Sequence, residues 1–177
     1  MDLDGLDDVL APDWVGDPAA LSMRELRERR SQAQAVEVAL SYQRRVAQGR
    51  LDIVAAERRR RDDGGDALDH EQIVAQLSEI LAPHTRAPGA GRLSQLLAPD
   101  AAGTETAELD AIAGPGVLAS LQDLGDDDLD QLLGALADFE VSCSTLRREL
   151  HDRIDLLQAE VVRRYRTGEA TVENLLQ

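Results

Sequence analysis

Two stretches of the chain carry apolar residues at one repeated spacing. In the first, Ala33, Val36, Leu40, Ala47, Leu51 and Val54 follow one another at intervals of three, four and seven. In the second, Leu136, Phe139, Cys143, Leu150, Ile154, Leu157 and Val161 use the same intervals. At about 100° per residue each set keeps to one flank of an α-helix. Start and stop signals bound both. Ser22 with Glu25 is a capping-box pattern, and from there to Arg61 the chain has no Pro and only Gly49. Asp62-Asp63-Gly64-Gly65 then ends a helix expected over 22–62, about 60 Å long. The second helix is expected over 126–167, starting after Gly125, with Asp126, Asp127 and Asp128 favourable at its positive end and Gly168 suited to its exit. A helix so long in so short a chain must pair with another, so the two should form an antiparallel, coiled-coil-like pair.

The remainder reads as connection. Residues 66–122 suggest short helices, at about Leu68–Leu81, Arg92–Leu97 and Pro115–Leu121, separated by loops holding Pro83, Pro99, Gly103 and Gly114. Residues 1–20 are acidic, with Pro12, Gly16 and Pro18, and are expected to be a flexible or loosely docked arm. Residues 169–177 form a tail, which leaves 21–168 as one helical domain.

Composition supports the all-α class. Aromatic residues are 2% of the 177, so Leu, Ala, Val and Ile must fill the core, which suits helix pairs better than sandwiches. No alternating strand pattern is present. Cys143 is the sole cysteine and excludes an internal disulfide. No run of 18 apolar residues occurs and the acidic start is unlike a signal peptide, which points to a soluble, cytoplasmic protein with no membrane partner.

Charge changes the picture more. The formal net charge is −15, which disfavours direct DNA binding. Yet all 19 basic residues are Arg, and 17 of them lie in 21–61 and 139–166, where only 10 acids accompany them. Those two windows therefore carry 17 − 10 = +7 and the rest of the chain −22. An acidic protein with two basic helices can hold a small anion while its other surfaces repel nucleic acid.

The two helices also repeat each other. Shifting the chain by 103 positions lays Glu37–Arg61 on Glu140–Arg164 with 11 identities in 25 positions and no gap. Among them is a polar row. Glu37, Ser41, Arg44, Gln48 and Asp52 fall within a stripe about 80° wide beside the apolar seam, and Glu140, Ser144, Arg147, His151 and Asp155 repeat it. Such rows can be the charged border of a coiled-coil seam. Against that stand Ser41 and Ser144, mediocre helix formers with nothing to gain on an exposed face, and the choice of the same residues by both helices.

As a binding row, the chemistry is specific. Arg presents a planar fork to phosphate or to guanine O6 and N7, and it stacks on bases. Asp accepts from guanine N1–H and N2–H₂, a pairing adenine cannot make. Two copies on an antiparallel pair would be related by a pseudo-two-fold axis. The best-matched ligand is then itself two-fold symmetric, anionic and carries two guanines.

The pattern Glu-x3-Ser-x2-Arg-x3-Gln-x3-Asp, present twice, resembles the signature of the RsiG-type anti-sigma factors of spore-forming filamentous bacteria. The first copy, Glu37 to Asp52, matches at all five positions; the second, Glu140 to Asp155, matches at four, with His151 in place of Gln. The resemblance implies a ligand-gated inhibitor without catalysis. It would bind cyclic di-GMP, as a dimer, along two antiparallel helices and with it sequester a WhiG-type RNA polymerase sigma factor, repressing sporulation genes. The alternative is a coiled-coil adaptor with no small ligand.

Other features point less far. His70, His84 and His151 are scattered, and no Cys or His pair has metal-ligand spacing, so neither a metal nor a cofactor is expected. The acids at 126–128 read as helix N-terminal charge. Cys143 sits in the apolar seam and reads as core. No nucleophile triad, phosphate loop or GxGxxG is present, so an enzyme is not expected. The Arg58–Arg61 run is either a solvated helix end or a contact for an acidic partner. Trp14 is either part of a docking peptide or a hydrophobic staple.

Overall fold

The computed structural model describes residues 3–64 and 106–169. Five helices are present there: α1 (Leu6–Leu10), α2 (Met23–Asp62), α3 (Ala107–Ala113), α4 (Pro115–Ala119) and α5 (Asp126–Thr167), with one 3₁₀ turn at Leu121–Asp123. Among the described residues there is no strand, and the all-α expectation holds. The expected pieces at Leu68–Leu81 and Arg92–Leu97 lie outside the described residues.

Local chemistry sets the bounds of the long helices. The Ser22 backbone N–H donates to Glu25 Oε2 at 2.7 Å, and the Glu25 N–H donates to Ser22 Oγ at 3.2 Å, which closes the capping box. At the far ends Gly64 and Gly168 adopt φ of 67° and 77°, the left-handed turn that glycine takes without a Cβ clash. The first turn of α5 holds Asp126, Asp127 and Asp128 against the helix dipole.

The chain divides into two compact units, Met1–Ser41 with Cys143–Gln177, and Tyr42–Ser142. In the first, the start of α2 runs antiparallel to the end of α5, as the pairs Arg27–Tyr165 and Glu37–Arg147 show. In the second, the end of α2 runs antiparallel to the start of α5, through Arg44–Glu140 and Arg58–Asp130. The predicted seam is the core: Ala33, Leu40, Ala47, Val54, Leu136, Cys143, Leu150 and Leu157 are fully buried. Leu51 is only half-buried. Each buried Leu contributes roughly 1.5–3 kcal/mol.

Residues 3–20, expected as a flexible or loosely docked arm, are docked on the long helices. Leu6 and Val9 of α1 and Val15 after it are buried, because this short stretch alternates enough apolar residues with its acids to seal a helix face. Val15 joins Leu26, Leu157 and Val161 in one cluster, with Trp14, Leu21, Met23 and Tyr165 packed on it. Trp14 is therefore spent inside the protein. Arg153 fastens the segment by donating to the carbonyls of Leu10 at 2.7 Å and Ala11 at 3.1 Å.

The second unit is built the same way. Arg50, the repeat partner of Arg153, donates to the Ala113 carbonyl at the end of α3 and to Asp110. Gly114 is required there, because a Cβ would lie 2.7 Å from the Asp110 carbonyl oxygen. Arg61 donates to the carbonyls of Leu121, Gln122 and Leu124 just before α5, and its repeat partner Arg164 to those of Pro18 and Ala19 just before α2. The repeat thus starts well before Glu37: Leu6/Leu109, Pro12/Pro115, Leu21/Leu124 and Leu26/Leu129 keep the same shift of 103.

Candidate functional site

The polar stripes work across helices rather than along one. In the first unit α2 supplies Glu37 and Ser41, and α5 supplies Arg147 and His151. Arg147 Nε donates to Glu37 Oε1 at 2.9 Å and to Ser41 Oγ at 2.8 Å, while the Ser41 hydroxyl donates to the same Glu37 oxygen at 2.7 Å. His151 Nε2 stands 3.3 Å from that oxygen. Ser41 therefore has a task that alanine could not perform: it accepts from a guanidinium and donates to a carboxylate at once. Burial pushes the Glu37 carboxyl up, but the Ser41 bond, then the bond and charge of Arg147 and the charge of His151, hold it below the ordinary range.

In the second unit α2 supplies Arg44 and Gln48, and α5 supplies Glu140. Arg44 Nη1 donates to Glu140 Oε1 at 3.2 Å and Gln48 Nε2 donates to it at 3.0 Å. The glutamate–arginine contact recurs in both, with His151 against Glu37 where Gln48 is against Glu140. The departure from the motif at His151 thus keeps the contact that the glutamine makes. Arg44 Nε is buried with no partner.

Each arginine is anchored at one point with donors to spare. Arg147 spends only Nε; its terminal nitrogens make no hydrogen bond among the described residues, and its side chain is 37% exposed. A planar fork held at its base suits a bidentate acceptor such as phosphate or a guanine edge. Asp52 is half-buried and Asp155 exposed, and neither makes a hydrogen bond or ion pair among the described residues. Ser144 is half-buried on α5.

The remaining arginines are largely structural. Arg60 and Arg61 fork onto Glu57 at 2.7 and 2.8 Å, and Arg163 and Arg164 onto Glu160 at 2.8 and 2.6 Å. Arg58 pairs with Asp130 at 2.9 Å. The Arg58–Arg61 run is accordingly engaged within its own unit. Repetition at the shift of 103 was the signal that could have exposed these supporting roles.

An all-helical protein built from two repeats, with one matched Glu–Arg cluster in each unit, is the class that fold and site define. An RsiG-like family model matches residues 13–81 and 115–177, segments that contain both clusters. The chain belongs to the RsiG-like family. That family is one of anti-sigma factors, regulatory rather than catalytic, and its role implies a sigma factor as partner. No curated protein matches the chain. Among the described residues no helix is long and apolar enough to cross a membrane.

Proposed function

We propose that this protein is an anti-sigma factor gated by cyclic di-GMP, which with ligand bound holds a WhiG-type sigma factor away from its sporulation genes. It would act in the cytoplasm by holding its partner, without touching DNA or membrane. The observation that carries the reading is the matched pair of arginines, Arg44 and Arg147. Each is tethered by a carboxylate of the other long helix and each keeps donors for an incoming group. Asp52 and Asp155, without partners among the described residues, supply the acceptors that guanine N1–H and N2–H₂ require. The family supplies the sigma factor; the guanine chemistry supplies the gate. Titration calorimetry of cyclic di-GMP, with and without the sigma factor, tests it. The expected result is saturable binding that raises affinity for the partner. A protein that held sigma equally well with and without ligand would be an ungated anti-sigma factor, and one that bound neither would be a coiled-coil adaptor.

A further inference from the structure

The two repeats part company over one short stretch. Positions 8–19 include Asp8, Asp13 and Asp17, whereas the equivalent positions 111–122 carry no charge at all. In the first copy the stretch turns inward. Trp14 packs on the cluster of Val15, Leu26, Leu157 and Val161, and Arg29 donates to the carbonyls of Trp14 and Val15. In the second copy Val117 stands at the position of Trp14 and Leu132 at that of Arg29. Here the stretch turns outward. The helix α4 has no buried residue, and Pro115, Gly116, Val117 and Ala119 are all exposed. Val117 is one of three large hydrophobic side chains exposed among the described residues. In a chain of which 30% is charged, twelve uncharged positions in a row, with only Ala113, Gly114 and Leu121 buried, form an apolar surface that folding does not use.

What surrounds the stretch narrows its partner. Arg50 grips one end through the Ala113 carbonyl and Asp110, and Arg61 grips the other through the carbonyls of Leu121, Gln122 and Leu124. The apolar surface is therefore held in place by its own unit. Residues 106–130 contain seven acids and no arginine, and Asp123, Asp127 and Asp128 stay exposed just beyond the stretch. An uncharged centre with a polar rim is the composition of a protein interface. A second copy of this chain would set acids against acids, and an anionic membrane surface would be repelled in the same way. The rim fits Lys and Arg. The sigma factor that the family implies is a partner of that kind, because a protein that binds promoter DNA carries Lys and Arg to meet the phosphates.

We propose that α4 and its flanks, centred on Val117, are a docking surface for a basic amphipathic helix of the sigma factor. The inference rests on the sigma-factor partner and not on the cyclic di-GMP gate. The test is surface plasmon resonance of a WhiG-type sigma factor on the full chain, at low and high salt. It is run with and without cyclic di-GMP, so that failure of the gate is read separately. V117S should raise the dissociation rate about five- to tenfold, the effect of one valine-sized apolar contact. D123N/D127N should slow association and flatten its salt dependence, because rim charges act on the encounter. Neither variant alters a buried side chain, so thermal unfolding should stay at wild type. Wild-type rates and salt slope in both variants would overturn the proposal and place the sigma factor elsewhere on the molecule. Sedimentation showing that the unaltered chain pairs with itself, and that V117S separates the pair, would give the surface to a second copy and overturn it too. A sigma factor that does not bind the unaltered chain at all would remove the partner and this inference together.

Discussion

Arg147 Nε lies 2.9 Å from Glu37 Oε1, and the two side chains belong to different long helices. The contact makes Glu37 a positioning residue: it fixes the base of a guanidinium whose outer nitrogens stay open. Glu37→Gln keeps the shape and removes the charge. Because Arg147 is partly exposed, the loss of stability should be small, about 1 kcal/mol or less. Affinity for cyclic di-GMP should fall about three- to tenfold, because the fork is no longer held ready. Calorimetry of the variant checks this, and a rise in affinity would mean that Glu37 competes with ligand instead.

Asp52 and Arg44 separate ligand binding from folding. Asp52 makes no bond among the described residues, so Asp52→Ala should leave thermal unfolding unchanged. Arg44→Ala leaves Glu140 held by Gln48, so the helices should also persist. Both variants should lose ligand-dependent sigma binding by about tenfold or more, the effect of one charge-assisted bond of roughly 1.5–3 kcal/mol. Wild-type affinity in both would remove the guanine assignment.

Much of this was legible in the sequence, for physical reasons. Helix ends are written locally, and Ser22 with Glu25, Gly64 and Gly168 placed both long helices to within a residue. The seam was legible because helical periodicity is a property of one segment. Pairing across helices was not. Nothing on α2 alone says that Ser41 bridges its own Glu37 to Arg147 of α5. The docking of α1 was also hidden, because its acids outnumber the few apolar residues that bury, and Arg153, which fastens it, lies 142 and 143 positions away.

Arg153→Ala should release that segment. It removes both donors to the Leu10 and Ala11 carbonyls and leaves two acceptors at the end of α1 without a charged partner. A cost of roughly 1–3 kcal/mol follows, concentrated in residues 3–21. Hydrogen exchange should show faster exchange at α1 with the middle of α5 unaffected. Uniform protection in both proteins would mean that Leu6, Val9 and Val15 hold the segment unaided.

Acid should act through Glu160. The hydrogen bonds from Arg163 and then Arg164 hold its carboxyl down at about 2, against an ordinary 4.5. A depressed folded value contributes stability that is fully present above about 4.5 and is lost as pH falls towards about 2. Glu160→Gln removes this one contribution. Its melting temperature should lie below wild type at pH 7, and the two curves should converge across that window. Curves that stay parallel down to pH 2 would show that the ionisation of Glu160 is not what the Arg163–Glu160–Arg164 fork contributes, and superimposed curves would show that the fork adds nothing to folding.

Selectivity for guanine over adenine is the sharpest test of the stripes. Ionised Asp52 and Asp155 accept hydrogen bonds and cannot donate. Against guanine they would meet N1–H and N2–H₂, and both sides are satisfied. Adenine offers a lone pair at N1 and no 2-amino group, so a desolvated carboxylate would face an acceptor. Leaving such a group unsatisfied costs about 1–3 kcal/mol or more. Each unit holds one of the two aspartates, so cyclic di-AMP should bind roughly a hundredfold or more weakly, at 1.4 kcal/mol per factor of ten. Competition of the two dinucleotides in the presence of the sigma factor measures it directly. The variant Asp52→Ala should narrow the gap, because one discriminating acceptor is gone while Arg44 and Arg147 remain. Equal affinity of the unaltered protein for the two would mean that the arginines read phosphate alone, and would return Asp52 and Asp155 to the charged border of a helix pair.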